Sequence, residues 1–321
     1  MKVLYIASNQ TNDFLSDAVF HGLHNIEGVE VTDFNNLWYM FNDIDKSSLV
    51  NKFHGRGFTY YADLKPVEVD RSNVLNKIQS LYFDKVIYGN PRRCLDLYDQ
   101  VSQYYHTEKI IFLDGNDEHN QPGVYEELLG RGVYFRRELS IDDKQKHPSI
   151  KPISFAFPEN KIQVSVPNKE KLLAQIIPGV SETFTFNDEE SYLNDYRSSL
   201  FGFTWRKAGW DCLRHYEILG SDCIPLFLDI EACPETICTT IPKSILKEYY
   251  KASGIYDLFE MDRDVVYDDK RCLVINKDLT KINDIEITKE FLDLYMNFLN
   301  ILKEYNIKNI TTKALAKYVL S

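Results

Sequence analysis

Residues 204–229 hold the densest grouping of side chains fit for chemistry in this chain. Arg206 and Lys207 end the apolar run FGFTW. Gly209 and Trp210 follow, and Arg214 and Glu217 stand three residues apart in GWDCLRHYEILGSDCIP. That spacing is just under one helical turn, so a guanidinium and a carboxylate share one face. A helix opening near Asp211 or Cys212 presents unpaired amide N–H groups and the positive end of its dipole to an anion. Arg206, Lys207 and Arg214 add charge-assisted hydrogen bonds suited to a diphosphate. Gly209 permits a close backbone approach, and Glu217 is placed to accept from vicinal ribose hydroxyls. The competing reading is an i,i+3 ion pair on a solvated helix.

A second grouping is FLDGNDEHN, residues 112–120. Asp114, Asp117 and His119 follow directly on the apolar run KIIFLD and are candidates to take a proton from an attacking hydroxyl, Asp114 first. Asp-Gly and Asn-Asp are also ordinary turn chemistry. Three further positions are candidates to hold an acceptor. Asn9 lies in the loop SNQTND, which equally caps a helix from Asn12 or Asp13. Arg56 lies in HGRGFTYYADL, a lid or an ordinary loop. Arg136 follows GVYF, where surface pairing with Glu138 is the alternative.

These residues need a scaffold of alternating strands and helices. Apolar runs at 2–7, 29–34, 84–90, 109–115 and 132–139 read as strands, with helical spacing at 14–25 and 94–105. Strand–helix alternation with strands apolar on both faces predicts a parallel, Rossmann-like sheet, with ligands at the strands' C-terminal ends. The proline- and charge-rich stretch 140–170 breaks the pattern, which then resumes with strands near 172–179, 201–205 and 223–230 and helices near 189–200, 243–253 and 289–305. The expected organisation is α/β, with two Rossmann-like domains facing across a cleft: 1–150, a linker at 151–170, and 171–321.

The R-x-x-E of Arg214 and Glu217, a polar turn, and then Cys-Ile-Pro and an apolar strand resemble the donor-site segment of GT-B glycosyltransferases. Exostosin-like transferases and the phage DNA beta-glucosyltransferases carry similar segments. The wider stretch SSLFGFTWRKAGWDCLRHYEILGSDCIPLFLDIEACP, with IIPG before it, is similar to glycosyltransferase-like proteins of viral and microbial genomes. The resemblance implies a GT-B fold with the acceptor bound by the first domain and a nucleotide sugar by the second. Arg206, Lys207, Gly209, Trp210, Arg214 and Glu217 become donor-binding, with Arg214 facing the diphosphate and Glu217 the ribose. It further implies an aspartate base on the loop after a strand, the place of Asp114 and Asp117, and chemistry that needs no metal or other cofactor. The residue eight before Glu217 is Gly209 rather than a glutamate, so the E-x7-E pattern of retaining families is absent and inversion is expected. A glycan or lipid-linked saccharide is the preferred acceptor. A hydroxymethylated DNA base is the alternative, as is a non-catalytic nucleotide-sugar-binding module.

Composition narrows the classes. A net charge of −11 opposes general nucleic-acid binding, which needs clustered Lys and Arg, although Arg56, Arg92, Arg93, Arg136 and Arg137 all fall in the first half. No run of 18 apolar residues is present, so no membrane span is expected, and the start MKVLYIASNQ reads as a strand rather than a signal peptide. Six cysteines without a CxxC pair read as buried thiols in a reducing, cytoplasmic setting. A dehydrogenase lacks its GxGxxG after the first strand.

Overall fold

The computed structural model describes residues 1–117, 123–163, 169–258, 266–267, 273–274 and 286–321. Its main sheet has six parallel strands in the order β2-β1-β3-β4-β5-β6. These are β1 Lys2–Ile6, β2 Glu30–Asp33, β3 Lys85–Tyr88, β4 Ile110–Asp114, β5 Val133–Arg136 and β6 Lys151–Pro152. The first five match the apolar runs of the sequence. The sixth lies inside the stretch expected as linker, because two residues pairing Lys151 with Phe135 and Pro152 with Arg136 leave no periodic signal.

Side chains alternate across this sheet as the pleat requires. Val3, Tyr5, Ile87, Ile111, Leu113 and Phe135 enter one buried cluster, and Leu4, Ile6, Val86, Tyr88, Ile110, Phe112 and Tyr134 enter another. Over the first face lies helix α1 (Phe14–His24), capped by the Asp13 carboxylate accepting from the Ser16 N–H at 3.0 Å. Over the second lie α2 (Val74–Gln79) and α3 (Tyr98–Tyr104), and α4 (Ile141–Lys146) leads into β6.

Residues 37–64 form a strap of short turns rather than a regular element. Buried Tyr39, Phe53, Tyr60 and Tyr61 fasten it. The hydroxyls of Tyr61 and Tyr39 donate to Asp17 on α1 at 2.9 and 3.1 Å, and Tyr60 donates to the Ala156 carbonyl at 2.5 Å.

A second parallel sheet has three strands, β7 Lys171–Leu173, β8 Ser199–Thr204 and β9 Ile224–Phe227, with β8 central. Helices α5 (Glu189–Arg197), α6 (Leu213–Gly220), α7 (Lys243–Ser253), α8 (Ile255–Leu258) and the long α9 (Lys289–Asn309) accompany it, and β10 (Val266–Tyr267) pairs antiparallel with β11 (Leu273–Val274). The first of the two buried clusters continues without a break through Phe157 and Ala174 into Phe201, Ile218 and Phe227.

The chain ends in α10 (Thr312–Leu320), which lies beyond 289–305, the last helix expected from the sequence. It returns to α1, and the helices touch at Gly22, where an added Cβ would stand 1.9 Å from the Thr312 carbonyl oxygen and 2.9 Å from the Ala316 methyl. Replacing Gly22 by Ala forces those backbones apart. We expect a loss of about 1–3 kcal/mol, the range for overpacking, read as a lowered denaturant midpoint for Gly22→Ala against wild type.

Candidate functional site

The candidate site grows from the segment between β8 and α6. Arg206 and Lys207 are neighbours but part company. Arg206 lays its guanidinium 4.7 Å from the Trp210 ring centroid, and its amide N–H donates to Asp229 at 3.1–3.2 Å. Lys207 instead lines a cavity of about 420 Å³. Gly209 lines it too, and has no room for a side chain: a Cβ would lie 2.7 Å from Glu138 Oε1 and 2.9 Å from Asp117 Oδ1. Its close approach is therefore to two carboxylates of this chain.

Those carboxylates belong to a buried network centred on Arg137. The guanidinium donates to the Gly115 carbonyl at 2.9 Å and to Glu138 at 2.8 Å, and also to Asp117 and to the Asp211 carbonyl. Its flat face covers the Phe155 ring at 4.5 Å. Glu138 in turn accepts the amide N–H groups of Trp210 and Asp211, both at 3.0 Å. The Asp211 carboxylate accepts from the Phe155 N–H at 2.8 Å and the Tyr216 hydroxyl at 2.6 Å. The turn ahead of α6 is thus clamped from the end of β5.

Helix α6 opens at Leu213 with Cys212 as its N-cap, and the Cys212 side chain gives no capping hydrogen bond. Leu213 and Arg214, in the first turn whose amides lack intrahelical acceptors, line the cavity. His215, facing away, is a strut: its ring nitrogens meet Thr204 Oγ1 at 2.7 Å and the Trp210 carbonyl at 2.9 Å, and burial pushes its pKa down to about 4.

Arg214 and Glu217 both line the cavity, and α6 is a buried helix rather than a solvated one. Among the described residues Arg214 forms no salt bridge or side-chain hydrogen bond; its guanidinium rests 5.2 Å from the Phe184 ring centroid. Lys207 likewise forms no ion pair among the described residues. Glu217 is held by hydroxyls, accepting from Thr59 at 2.5 Å and from Tyr192. Burial pushes the Glu217 carboxyl up, while these two hydrogen bonds and the Arg214 charge pull it back. The walls are aromatic: Phe14, Phe58, Phe155, Phe184, Phe186 and Tyr192, with Ile176. The site joins a cationic pole, a hydroxyl-binding carboxylate and flat apolar faces, a combination suited to an anionic ligand carrying a ring.

The remaining candidates separate. Asp117 reaches the cavity, a third of its side chain exposed. Asp114, ranked first from sequence as the base, is fully buried and absent from the lining. Arg92 and Arg136 donate to it at 2.9 and 2.7 Å, and Tyr134 adds a third donor. Held this way, it is unsuited to accept a substrate proton. Arg136, expected to bind an acceptor, is buried in that same cluster for the same reason. Asn9 donates to the Asn35 carbonyl at 2.5 Å, joining two loops away from the cavity. Arg56 does line it, but spends its guanidinium on the Phe184 and Phe186 carbonyls and on Asn187. His119 lies outside the described residues.

Thr59, Tyr192, Phe184 and Phe186 escaped the sequence reading, and Arg137, read only as a cleft or surface residue beside Arg136, proves to be the centre of the buried network. The one available signal was the pair of glycines around Arg56, which marked a special loop without showing what it touches. Among the described residues no group of three or more His, Cys, Asp and Glu is disposed to hold a metal, and no helix is long and apolar enough to cross a membrane. Comparisons of the chain with protein-family models, curated proteins and solved structures find no match.

Two outcomes follow from these buried carboxylates. Asp114→Asn leaves Arg92 and Arg136 without their counter-charge and is expected to cost about 3–5 kcal/mol, read by denaturant unfolding. Asp17 is buried beside Asp13, and burial first, then the Asp13 charge, pushes its carboxyl from 3.8 up to about 8. A raised folded-state pKa means that the folded protein holds the proton more tightly than the unfolded chain. This contribution to stability is full below about pH 4 and is lost as pH rises through 8. Unfolding followed from pH 4 to 9 should show that loss, and Asp17→Asn should flatten it.

Proposed function

We propose that this chain is a GT-B-type glycosyltransferase that moves a sugar from a nucleoside-diphosphate sugar to a hydroxyl acceptor, with inversion. In this reading the two sheet-bearing parts act as two Rossmann-like domains, and the cavity is the donor end of the cleft between them. The observation that carries the proposal is the pairing of Arg214 and Glu217 on one cavity wall, with the cation in no salt bridge among the described residues. Arg214, Lys207 and the first turn of α6 receive the diphosphate, where negative charge grows as the glycosidic bond breaks. Glu217 accepts from the ribose hydroxyls. Phe184, Phe186 and Tyr192 offer faces to the base or the sugar ring.

The acceptor oxygen attacks C1, the nucleoside diphosphate leaves with the bonding electrons, and the acceptor proton passes to a carboxylate. Asp117 takes that role in place of Asp114, since it is the aspartate of the 112–117 segment that lines the cavity. Arg137 pairs with it and fixes its direction. A saccharide acceptor remains the preferred partner, in keeping with the acidic chain. The reading requires no metal and is compatible with a cytoplasmic protein.

Thermal denaturation with a panel of nucleoside diphosphates tests the assignment. One of them should stabilise the wild-type chain by about 2.7 kcal/mol at one hundred times its Kd. Arg214→Ala and Glu217→Ala should abolish that gain. Asp117→Asn should keep the stabilisation and lose sugar transfer measured by release of the nucleoside diphosphate. Absence of a shift with every nucleotide would overturn the proposal, and binding without transfer in wild type would leave a nucleotide-sugar-binding module.

A further inference from the structure

We propose that Thr59 is the positioning residue for Glu217: the strap brings a strained threonine across from the first part of the chain so that its hydroxyl sets the direction of the cavity carboxylate. This deepens the nucleotide reading of the same site and rests on it only for the choice of ligand.

Thr59 sits at φ 68°, in the left-handed region, where a β-branched residue is a genuine outlier. The strap has four other left-handed positions, Gly55, Arg56, Gly57 and Ala62, and of the five Thr59 alone is β-branched. Strain of this kind, about 1–3 kcal/mol, persists only where the surroundings over-determine it. They do so at all three polar atoms of Thr59. Its N–H donates to Glu189 Oε1 at 2.7 Å, its carbonyl accepts from Lys161 Nζ at 2.5 Å, and its hydroxyl donates to Glu217 Oε1 at 2.5 Å.

The clamp has its own support. Lys161 reaches Glu189 at 2.8 Å and Asp63 at 3.1 Å, and Asp63 meets His21 on α1 at 2.8 Å. Lys46 also binds Glu189. Glu189 and Lys161, themselves held by groups of the strap and α1, thus fix one residue only 1% exposed, whose remaining polar atom is spent on Glu217. Tyr192 binds the other oxygen of that carboxylate, so the two hydroxyls together define its plane. A glycine would satisfy the backbone more cheaply. What only Thr or Ser supplies is the hydroxyl.

The experiment compares wild type with Thr59→Val, which keeps the shape without the hydroxyl, and Thr59→Ser, which restores it. Each is titrated calorimetrically with the stabilising nucleoside diphosphate, its 2′-deoxy counterpart and inorganic pyrophosphate. Thr59→Val should lose roughly tenfold of the ribose-over-deoxyribose preference, the worth of one hydrogen bond to a charged group. Its pyrophosphate affinity should be unchanged, and Thr59→Ser should behave as wild type. Equal weakening towards all three ligands, or an unaltered preference, would overturn the proposal.

A ligand-free reading separates it from the nucleotide assignment. The Glu217 carboxyl, followed by carbon-13 NMR, is faced by Arg214, Tyr192, Thr59, Tyr60 and Glu189. It should titrate at higher pH in Thr59→Val and unchanged in Thr59→Ser. An unmoved titration sinks the positioning role even if nucleotides bind, and a moved one sustains it even if none does. Should Thr59→Val fail to fold, Thr59→Gly relieves the backbone and serves in its place.

Discussion

The buried Arg137–Glu138 pair is the interaction on which the candidate site depends. Two adjacent residues at the end of β5 reach the turn that opens α6, Arg137 through the Asp211 carbonyl and Glu138 through the Trp210 and Asp211 amides. Both are removed from water, which is costly unless every charge is paired and hydrogen-bonded. Here each is: the guanidinium has two carboxylates, two carbonyls and an aromatic face, and Glu138 has the guanidinium and two amides. Such a network tolerates little displacement. That is why α6, and with it Arg214 and Glu217, holds a set position relative to the six-stranded sheet.

The strap and the C-terminal helix provide the other ties. Strap residues spend phenolic hydroxyls on Asp17 and guanidinium on the 184–187 loop, joining elements distant in sequence. Helix α10 closes on α1 through the small surface at Gly22. A continuous apolar cluster beneath both ties makes separation of the two sheets costly.

Charge is divided unevenly as a result. Arg92, Arg136 and Arg137 are consumed by buried carboxylates, and Arg56 by carbonyls and an amide oxygen. Arg214 and Lys207 are left facing the cavity. An acidic chain can still present a cationic pole locally, because local pairing, not net charge, decides the field inside a cavity.

Much of the scaffold was legible along the chain. Apolar runs such as KVLYI and IIFLD declared parallel strands, and the three-residue spacing of Arg214 and Glu217 placed them on one helical face. These are properties of neighbours, governed by the pleat and the helical repeat. The strap had no period to read, and β6 was too short to leave one. Which charges stay available was not legible at all. Asp114, the last residue of β4, falls among Arg92, Tyr134 and Arg136, whereas Asp117, three residues on, clears the sheet and meets the cavity. Glu217 finds its partner 158 residues away in Thr59, and Asp211 finds Glu138 at 73. Local sequence determined which residues share a face. Only the tertiary structure decided which of their charges are spent, because the partners that spend them are brought in by packing.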